Sequence, residues 1–402
     1  MTFFWDWDTD NILSPGAGSD EMMAFRSNVR QFVETEMTPF AAEWEFNKSF
    51  SPLLIQKAVA QNVYAPTWPG RFGGTLPAGA SPWVRDFVLN DELAKSGQGG
   101  VLASAFVSLA IGLPPLTVGL AAGEAETLRI IRSVTCGQKR IALAVTEAFG
   151  GSDVAALRTT ATRVGDTYVL NGEKTFITGG MSADYLTVAA RTGETAISLF
   201  LIDSDLAGIT RSRLETQGWR TSETIRIILE NVVVSKDMLI GTEGAGFKPI
   251  MHNFNHERWL LAIHANRFAR NCLEDAVAYA KVRKTFGKPL IEHQVIRHKI
   301  AEMARVILAT HANCMQIMAV LADPTSSVAS CAGRTALFKV QATKTFEFCA
   351  REASQILGGK SFLTGDGPGG RIERAYRDVR VYAIGGGSEE ILLDLAIKQA
   401  KL

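Results

Sequence analysis

Between Asn255 and Phe286 the chain carries neither proline nor glycine. Through this run Leu, Ala, Ile and Phe return every third or fourth residue, the spacing that lays an apolar stripe along one side of an α-helix. Its first turns bear Glu257 and Arg258 among bulky apolar neighbours, and its far end bears Arg283 and Lys284 before a Phe286-Gly287 break. A carboxylate set among apolar side chains can be a base with a raised pKa. It can equally be a first-turn acid favoured by the helix dipole, with Arg258 as its solvated partner. The run alone leaves both readings standing.

A chain of 402 residues is too long for one compact core. Residues 1–138 read as a helical domain. Asp20 can cap a helix over Met22 to Glu43, and further helical patterns cover Leu53 to Ala60, Trp83 to Lys95 and Gly123 to Ser133. Pro66 to Pro82 reads as a loop. Residues 139–245 read as a small antiparallel β domain of short β-branched runs, from Ile141–Val145 to Ile225–Val234. Gly165-Asp166, Asn171-Gly172 and Ala207-Gly208 serve as turns between them. Gly241 to Gly246 reads as a hinge-like loop. Residues 246–402 return to helices: the opening run, Glu292 to Ala322, Val328 to Leu357, a short helix from Ile372 and a last one from Ser388 to Lys401. Long antiparallel helices with short links suggest a four-helix bundle. The fold class expected is multi-domain α+β, ordered helices, sheet, helices.

Composition removes several functions. The net charge of +1 gives no general reason to expect nucleic acid or an anionic membrane as partner. The five cysteines show no paired spacing and read as free thiols in a reducing compartment; no metal site is expected. The apolar run Val101 to Ala122 is broken by Gly112, Pro114, Pro115 and Gly119, so it reads as buried helix ends and not a membrane span. The acidic start, MTFFWDWDTD, lacks the pattern of a signal peptide, and a soluble intracellular protein is expected.

Two segments of the β domain place Thr and backbone amides at strand ends beside glycines: Leu143 to Asp153 and Asn171 to Gly180. A planar ligand with polar edges can approach the main chain there. With Arg283 to Lys288, Glu292-His293-Gln294, Gln355 to Gly359, Tyr376 to Arg380 and the glycines before Ser388, they make the chain resemble the acyl-CoA dehydrogenase flavoproteins. That resemblance implies an N-terminal helical domain, a middle β domain and a C-terminal bundle, in a homotetramer that uses FAD. It implies that Leu143, Val145 and Thr146 lie beside the flavin ring, with Phe176 near it where many relatives have Trp, and Thr178 facing its N5. Arg283, Phe286 and Gln294 would reach FAD across a subunit interface, the guanidinium on the pyrophosphate. Gln355, Gly358 and Gly359 would line the adenine side. Ser388 and Glu390 would touch FAD, and Ser152 the CoA arm. Phe254 and Arg258 are expected on the substrate side.

The chain departs from the family at Gly386. Most relatives carry the catalytic Glu there, and this chain reads Gly385-Gly386-Gly387. In the isovaleryl and long-chain branches the base stands at the start of the long helix, directly before an Arg, which here is Glu257 before Arg258. The resemblance therefore implies Glu257 as base, against an apolar wall such as Trp259 and Leu260. Gly386 would supply a backbone N–H to the thioester oxygen and leave room for a long or branched acyl chain. The implied reaction turns an acyl-CoA into a trans-2-enoyl-CoA, with electrons passed to an electron-transferring flavoprotein. Alternatives are an oxidase passing electrons to oxygen and a flavin-bound, non-catalytic scaffold. His256 reads as a helix-start side chain and His293 as a neighbour of Gln294. The ending Ala400-Lys401-Leu402 is either a peroxisomal address or a helix that ends in Lys-Leu.

Overall fold

The computed structural model describes residues 20–118, 124–323, 325, 326 and 328–401. The chain opens with helices α1 (Asp20–Phe32), α2 (Ala41–Asn47), α3 (Leu53–Ala60), α4 (Pro82–Ala94), α5 (Gly99–Val101), α6 (Ser108–Gly112) and α7 (Glu124–Thr135). The single helix expected from Met22 to Glu43 is broken. A π turn at Val33–Met37 and a 3-10 turn at Thr38–Phe40 fall where Pro39 removes a donor from the ladder. Gly123, expected to start α7, lies outside the described residues.

Eight strands then form one sheet: β1 (Ile141–Ala144), β2 (Thr160–Val164), β3 (Thr167–Ile177), β4 (Tyr185–Arg191), β5 (Ile197–Asp203), β6 (Ile209–Arg213), β7 (Ile225–Ser235) and β8 (Leu239–Ile240). Their order is β6-β7-β3-β2-β4-β5-β8, with β1 on β4. The sheet expected to be antiparallel is mixed, because β1 runs parallel to β4, pairing Ile141 with Tyr185 and Ala144 with Val188. Asn171-Gly172 is not a turn. β3 runs straight through it, with a register shift against β7 between Leu170 and Gly172. Gly172 sits at φ 152°, and a Cβ there would stand 2.5 Å from Thr159 Oγ1, so only glycine lets β2 pass this close.

The segment Gly241–Gly246 is not a hinge. Ala245 bridges to Ile197, Gly246 N donates to Ile197 O at 2.8 Å, and Gly244 N donates to Ser198 Oγ at 2.8 Å. The loop is stitched to β5 and delivers the chain into α8 (Phe247–Val282). A short hairpin, β9 (Lys284–Thr285) and β10 (Lys288–Pro289), leads to α9 (Gln294–Ala322), α10 (Ala332–Leu357), α11 (Gly367–Ile384) and α12 (Glu389–Ala400). α11 begins five residues before Ile372, with Pro368 in its first turn.

α8 and α10 lie side by side in the same direction: Trp259 meets Phe338 with ring centroids 5.9 Å apart, and Phe268 meets Phe346 at 5.4 Å. α9 returns beside them, with Thr310 Oγ1 2.8 Å from Thr345 Oγ1. One buried core joins α1, α4, α8, α9 and α10, and inside it lies an ionic network. Arg26 reaches Asp91 and Glu92, Arg30 reaches Glu92, and Arg267 and Arg270 reach Asp91. Burial pushes Glu92 up, and the hydrogen bond from Arg30 with the charges of Arg267 and Arg26 outweighs it, so the carboxyl stays below its ordinary range.

The motif Tyr376–Arg380 locks the three parts together. Arg377 donates to Glu45 at 2.8 Å and to Gln217 O at 3.0 Å, while Asp378 accepts from Trp219 N at 2.7 Å. The apolar stretch Gly99–Thr117 is 83% buried within the fold, which suits a core element; Gln294–Ala322 is likewise long and apolar and is half buried against the bundle. Four of the five cysteines are buried and all five are free. Ala400 ends α12 and Lys401 is its left-handed cap; Leu402 of the Ala400-Lys401-Leu402 ending lies outside the described residues.

Candidate active site

α8 begins at Phe247, eight residues before Asn255, with Pro249 in its first turn, where a missing N–H costs nothing. Glu257 therefore stands about three turns inside the helix, beyond the reach of its N-terminal dipole. Arg258 is buried, not solvated. Its Nε donates to Gly386 O at 3.0 Å and its Nη1 to Asn255 Oδ1 at 2.8 Å. The first-turn reading of this pair fails on both counts.

What Glu257 faces is the Gly385–Gly387 turn. A Cβ built on Gly386 would lie 3.8 Å from both Cγ and Cδ of Glu257 and 2.8 Å from Leu261 Cδ1. The carboxylate thus comes beside the space that a residue-386 side chain would enter. Leu261 crowds the Cβ position itself, so the absence of a side chain at Gly386 does not by itself open room for a long acyl chain. The expected wall also differs. Trp259 and Leu260 are turned into the core, Trp259 against Phe338, and Leu261, one turn on from Glu257, forms the wall. Burial raises the Glu257 pKa above the ordinary carboxylate value, and Arg258, Lys339 and His256 partly oppose it. Gly386 has φ +67° and Gly387 +110°, so the turn is left-handed at two consecutive residues. Among the described residues the Gly386 N–H donates to no backbone acceptor.

Leu143 and Phe254 pack on the cluster that holds Val145 and Ile250, which sets the end of β1 on α8 one turn before Glu257. Two buried residues not singled out in the sequence shape this segment. Lys174 donates to Val145 O at 3.0 Å and to Glu147 Oε1 at 2.7 Å, and Glu147 also accepts from Arg158 N, Thr159 N and Thr159 Oγ1. Burial lowers Lys174 to about 8 against the pull of Glu147. Thr175 N donates to Thr146 O at 2.9 Å, which ties β3 to Thr146. Phe176 follows at φ +57°, 65% exposed, with Thr178 half-buried beyond it. A large aromatic left open in a left-handed conformation at a strand end is a platform that a planar ring would cover, so these residues fit a flavin. Ser152 is exposed on the neighbouring loop. Ser388 and Glu390 open α12 directly after the turn, with Ser388 as its N-cap.

The remaining expected cofactor residues lie elsewhere. Phe286 and Gly287 form the tip of the β9–β10 hairpin at φ 50° and 81°, and Phe286 is 96% exposed. Arg283 and Gln294 flank it and are also exposed; His293 bonds Thr285 and caps α9. Gln355, Gly358 and Gly359 are exposed at the end of α10, the same end of the bundle. From Glu257 to Val282 the helix rises roughly 38 Å. The structure clusters Leu143 and Val145 with Phe254 on α8 next to Glu257 and sets Ser388 directly after the turn that Glu257 faces, while Arg283 lies at the far end of the same helix. His256 is not a helix-start side chain: its Nε2 stands 3.0 Å from Asp86 Oδ2 and its ring meets Trp83 edge-on. Burial lowers its pKa, and Asp86 outweighs that and leaves it raised. Among the described residues no cluster suits a metal ion.

Three family models cover the chain: acyl-CoA dehydrogenase N-terminal domain over residues 19–128, middle domain over 142–232 and C-terminal domain over 244–401. The chain is 35% identical over 392 residues to the acyl-CoA dehydrogenase AFT10-1 of Alternaria alternata, covering 93% of this chain and 90% of that one. It is 32% identical over 376 residues to a 3-(aryl)acrylate reductase of Clostridium sporogenes, covering 91% and 94%. Among solved structures it superposes on an acyl-CoA dehydrogenase from Geobacillus kaustophilus with a TM-score of 0.87 and 29% identity, over 95% of this chain and 98% of that one. An acyl-CoA dehydrogenase complexed with FAD from Bacillus anthracis gives 0.89 and 25%, over 99% and 71%. The chain belongs to the acyl-CoA dehydrogenase family and is a flavoenzyme of that type, with FAD as its cofactor.

Proposed function

We infer that the protein dehydrogenates an acyl-CoA between its α and β carbons, with Glu257 as the proton acceptor. The observation that carries this reading is the 3.8 Å approach of Glu257 Cδ to the Cβ position of residue 386. Glu257 takes the α-proton onto its carboxylate. The raised pKa makes it a stronger base than a solvated carboxylate. The Gly386 N–H donates to the thioester oxygen as charge builds there; one such donor is worth about 3 kcal/mol of barrier. FAD, when bound, supplies the acceptor for the β-hydride. Leu143, Val145, Thr146, Phe176 and Thr178 hold its ring, Ser388 and Glu390 stand beside it, and Ser152 receives the CoA arm. Phe254 and Leu261 exclude water from the acyl side.

The distance along α8 supports a site shared by two copies. Residues about 38 Å from the base cannot grip the same end of one cofactor, so Arg283, Phe286 and Gln294 serve a neighbouring protomer, as do Gln355, Gly358 and Gly359. The assembly proposed is a homotetramer, with domain boundaries near residues 138 and 245. The electron acceptor proposed is an electron-transferring flavoprotein; peroxide release in air would assign an oxidase instead. A long or branched acyl chain is proposed from the helix-borne base. The space at Gly386 lends it no support.

Anaerobic mixing with butyryl-, isovaleryl-, octanoyl- and palmitoyl-CoA tests the reading. Bleaching of the flavin absorbance is expected, and the rates rank the chains. Loss of bleaching in Glu257→Gln with FAD retained is expected. No bleaching by any of the four overturns the activity and favours the scaffold. The reductase among the relatives favours a second reading, net flow from enoyl to acyl thioester. It predicts that reduced enzyme is reoxidised by an enoyl-CoA faster than an acyl-CoA reduces the oxidised form.

A further inference from the structure

Lys339 is fully buried on α10, and neither the motifs nor the mechanism above uses it. Its Nζ donates to Ala383 O at 3.1 Å and to Gly387 O at 2.8 Å. The first acceptor is among the last carbonyls of α11, which have no partner within the helix and carry the negative end of its dipole. The second lies beyond the turn. Lys339 therefore holds both ends of Gly385-Gly386, while Arg258 holds the Gly386 carbonyl between them.

We propose that Lys339 is the positioning residue of the active-site turn: it fixes the left-handed pair Gly386-Gly387 so that the Gly386 N–H meets the thioester, and it sets a positive charge behind Glu257. This rests on Glu257 being the base. A turn of three glycines has the greatest backbone freedom to lose, and bonds from a charged donor offset that loss. A buried ammonium needs a reason to be there, since desolvation opposes the charged form. Burial lowers Lys339 to about 8, and Glu257 and Glu389 pull it back up. No ion pair joins Lys339 to Glu257 among the described residues, so the charge acts across a gap and leaves the carboxylate free to take a proton. The groups facing Glu257 are Arg258 and His256 from α8 and Lys339 from α10. Asp86 of α4 acts through His256, and Glu389 of α12 faces Lys339 and pairs with Lys344 at 2.9 Å.

The test is the pH dependence of flavin reduction in the holoenzyme, measured anaerobically with whichever of the four acyl-CoAs reduces the wild type fastest. Lys339→Met loses charge and donors; Lys339→Gln keeps a donor and loses the charge. A positive charge favours the ionised base, so both variants should move the acid limb of the rate upward by about one pH unit. Lys339→Met should also drop the high-pH plateau about tenfold, with acyl-CoA affinity held within about threefold, while Lys339→Gln keeps most of the plateau. An unmoved limb and an unchanged plateau in the two variants would overturn the proposal. So would failure of both to retain FAD, which would make the lysine a folding residue. Glu257→Gln separates the premise: if it reduces normally, the base assignment fails first; if it is dead while the lysine variants match wild type, only this proposal falls.

Discussion

Glu257 reaches from about three turns inside α8 to within 3.8 Å of the point where Gly386 would carry its Cβ, so the two positions adjoin one point in space. The consequence can be measured. Gly386→Glu alone should destabilise, since a side chain at φ +67° costs about 1–3 kcal/mol and its Cβ would meet Leu261 at 2.8 Å. In a Glu257→Gln background with Leu261→Ala to make room, Gly386→Glu should recover flavin reduction at least about tenfold over Glu257→Gln. No recovery would mean that the two positions share space but not function.

Arg258 binds Gly386 O and Asn255 Oδ1 through two nitrogens of one planar fork. Arg258→Lys keeps the charge and loses the fork. The expected result is a fall in reduction rate of about tenfold with acyl-CoA affinity nearly unchanged. A loss of affinity at constant rate would return Arg258 to substrate binding, where the sequence placed it.

Two histidines make the fold acid-sensitive. Burial lowers both His264 and His311 to about 3, and nearby Arg270, Arg26 and Arg267 add to the effect at His311. The unfolded chain binds their protons below about pH 6.5 and the folded chain does not. Stability therefore falls from pH 6.5 down to about 3, by about 2 kcal/mol per histidine at pH 5. Urea unfolding at pH 7.5 and pH 5 checks it; a His264→Asn variant, which keeps a polar group near Asn90, should flatten part of the slope.

Mixed assemblies test the shared site. Glu257→Gln lacks the base and Arg283→Ala lacks the distant cofactor contact. Co-expressed in one cell, the two should form assemblies in which one protomer keeps Glu257 and receives an intact Arg283 from its neighbour. Such mixtures should reduce flavin although neither parent does. Silence of the mixture, with both chains present in one particle, would place Arg283 in its own protomer's site.

Periodicity exposes the bundle because long apolar stripes dominate local choices, and Glu257 stands out in the sequence because it precedes Arg258 in a chain that has glycine at 386. Helix starts were harder. Pro249 concealed the true beginning of α8, since proline is tolerated in a first turn, and with it the fact that Glu257 is an interior residue. Asn171-Gly172 carried every mark of a turn; only the approach of Thr159 makes it a bulge. The parallel partner of β1 depends on which strand lies alongside, and alternation of side chains is the same for either direction. Lys339 gave no local sign at all. Its meaning comes from the end of α11, more than 40 residues away, and Glu147 and Lys174 likewise pair only once β1 and β3 are adjacent. Trp259 and Leu260 neighbour Glu257 in sequence, whereas the helix turns Leu261 to its side.

Glu257 hangs from backbone braced by its own ladder of bonds, and the glycine turn opposite is tied to that same helix through Arg258. A side chain at Gly386 would press on Leu261 and one at Gly387 on Leu392, so the turn must stay bare. Variation that keeps this arrangement has to enter through the side chains around the rod, not through the short connection that faces it.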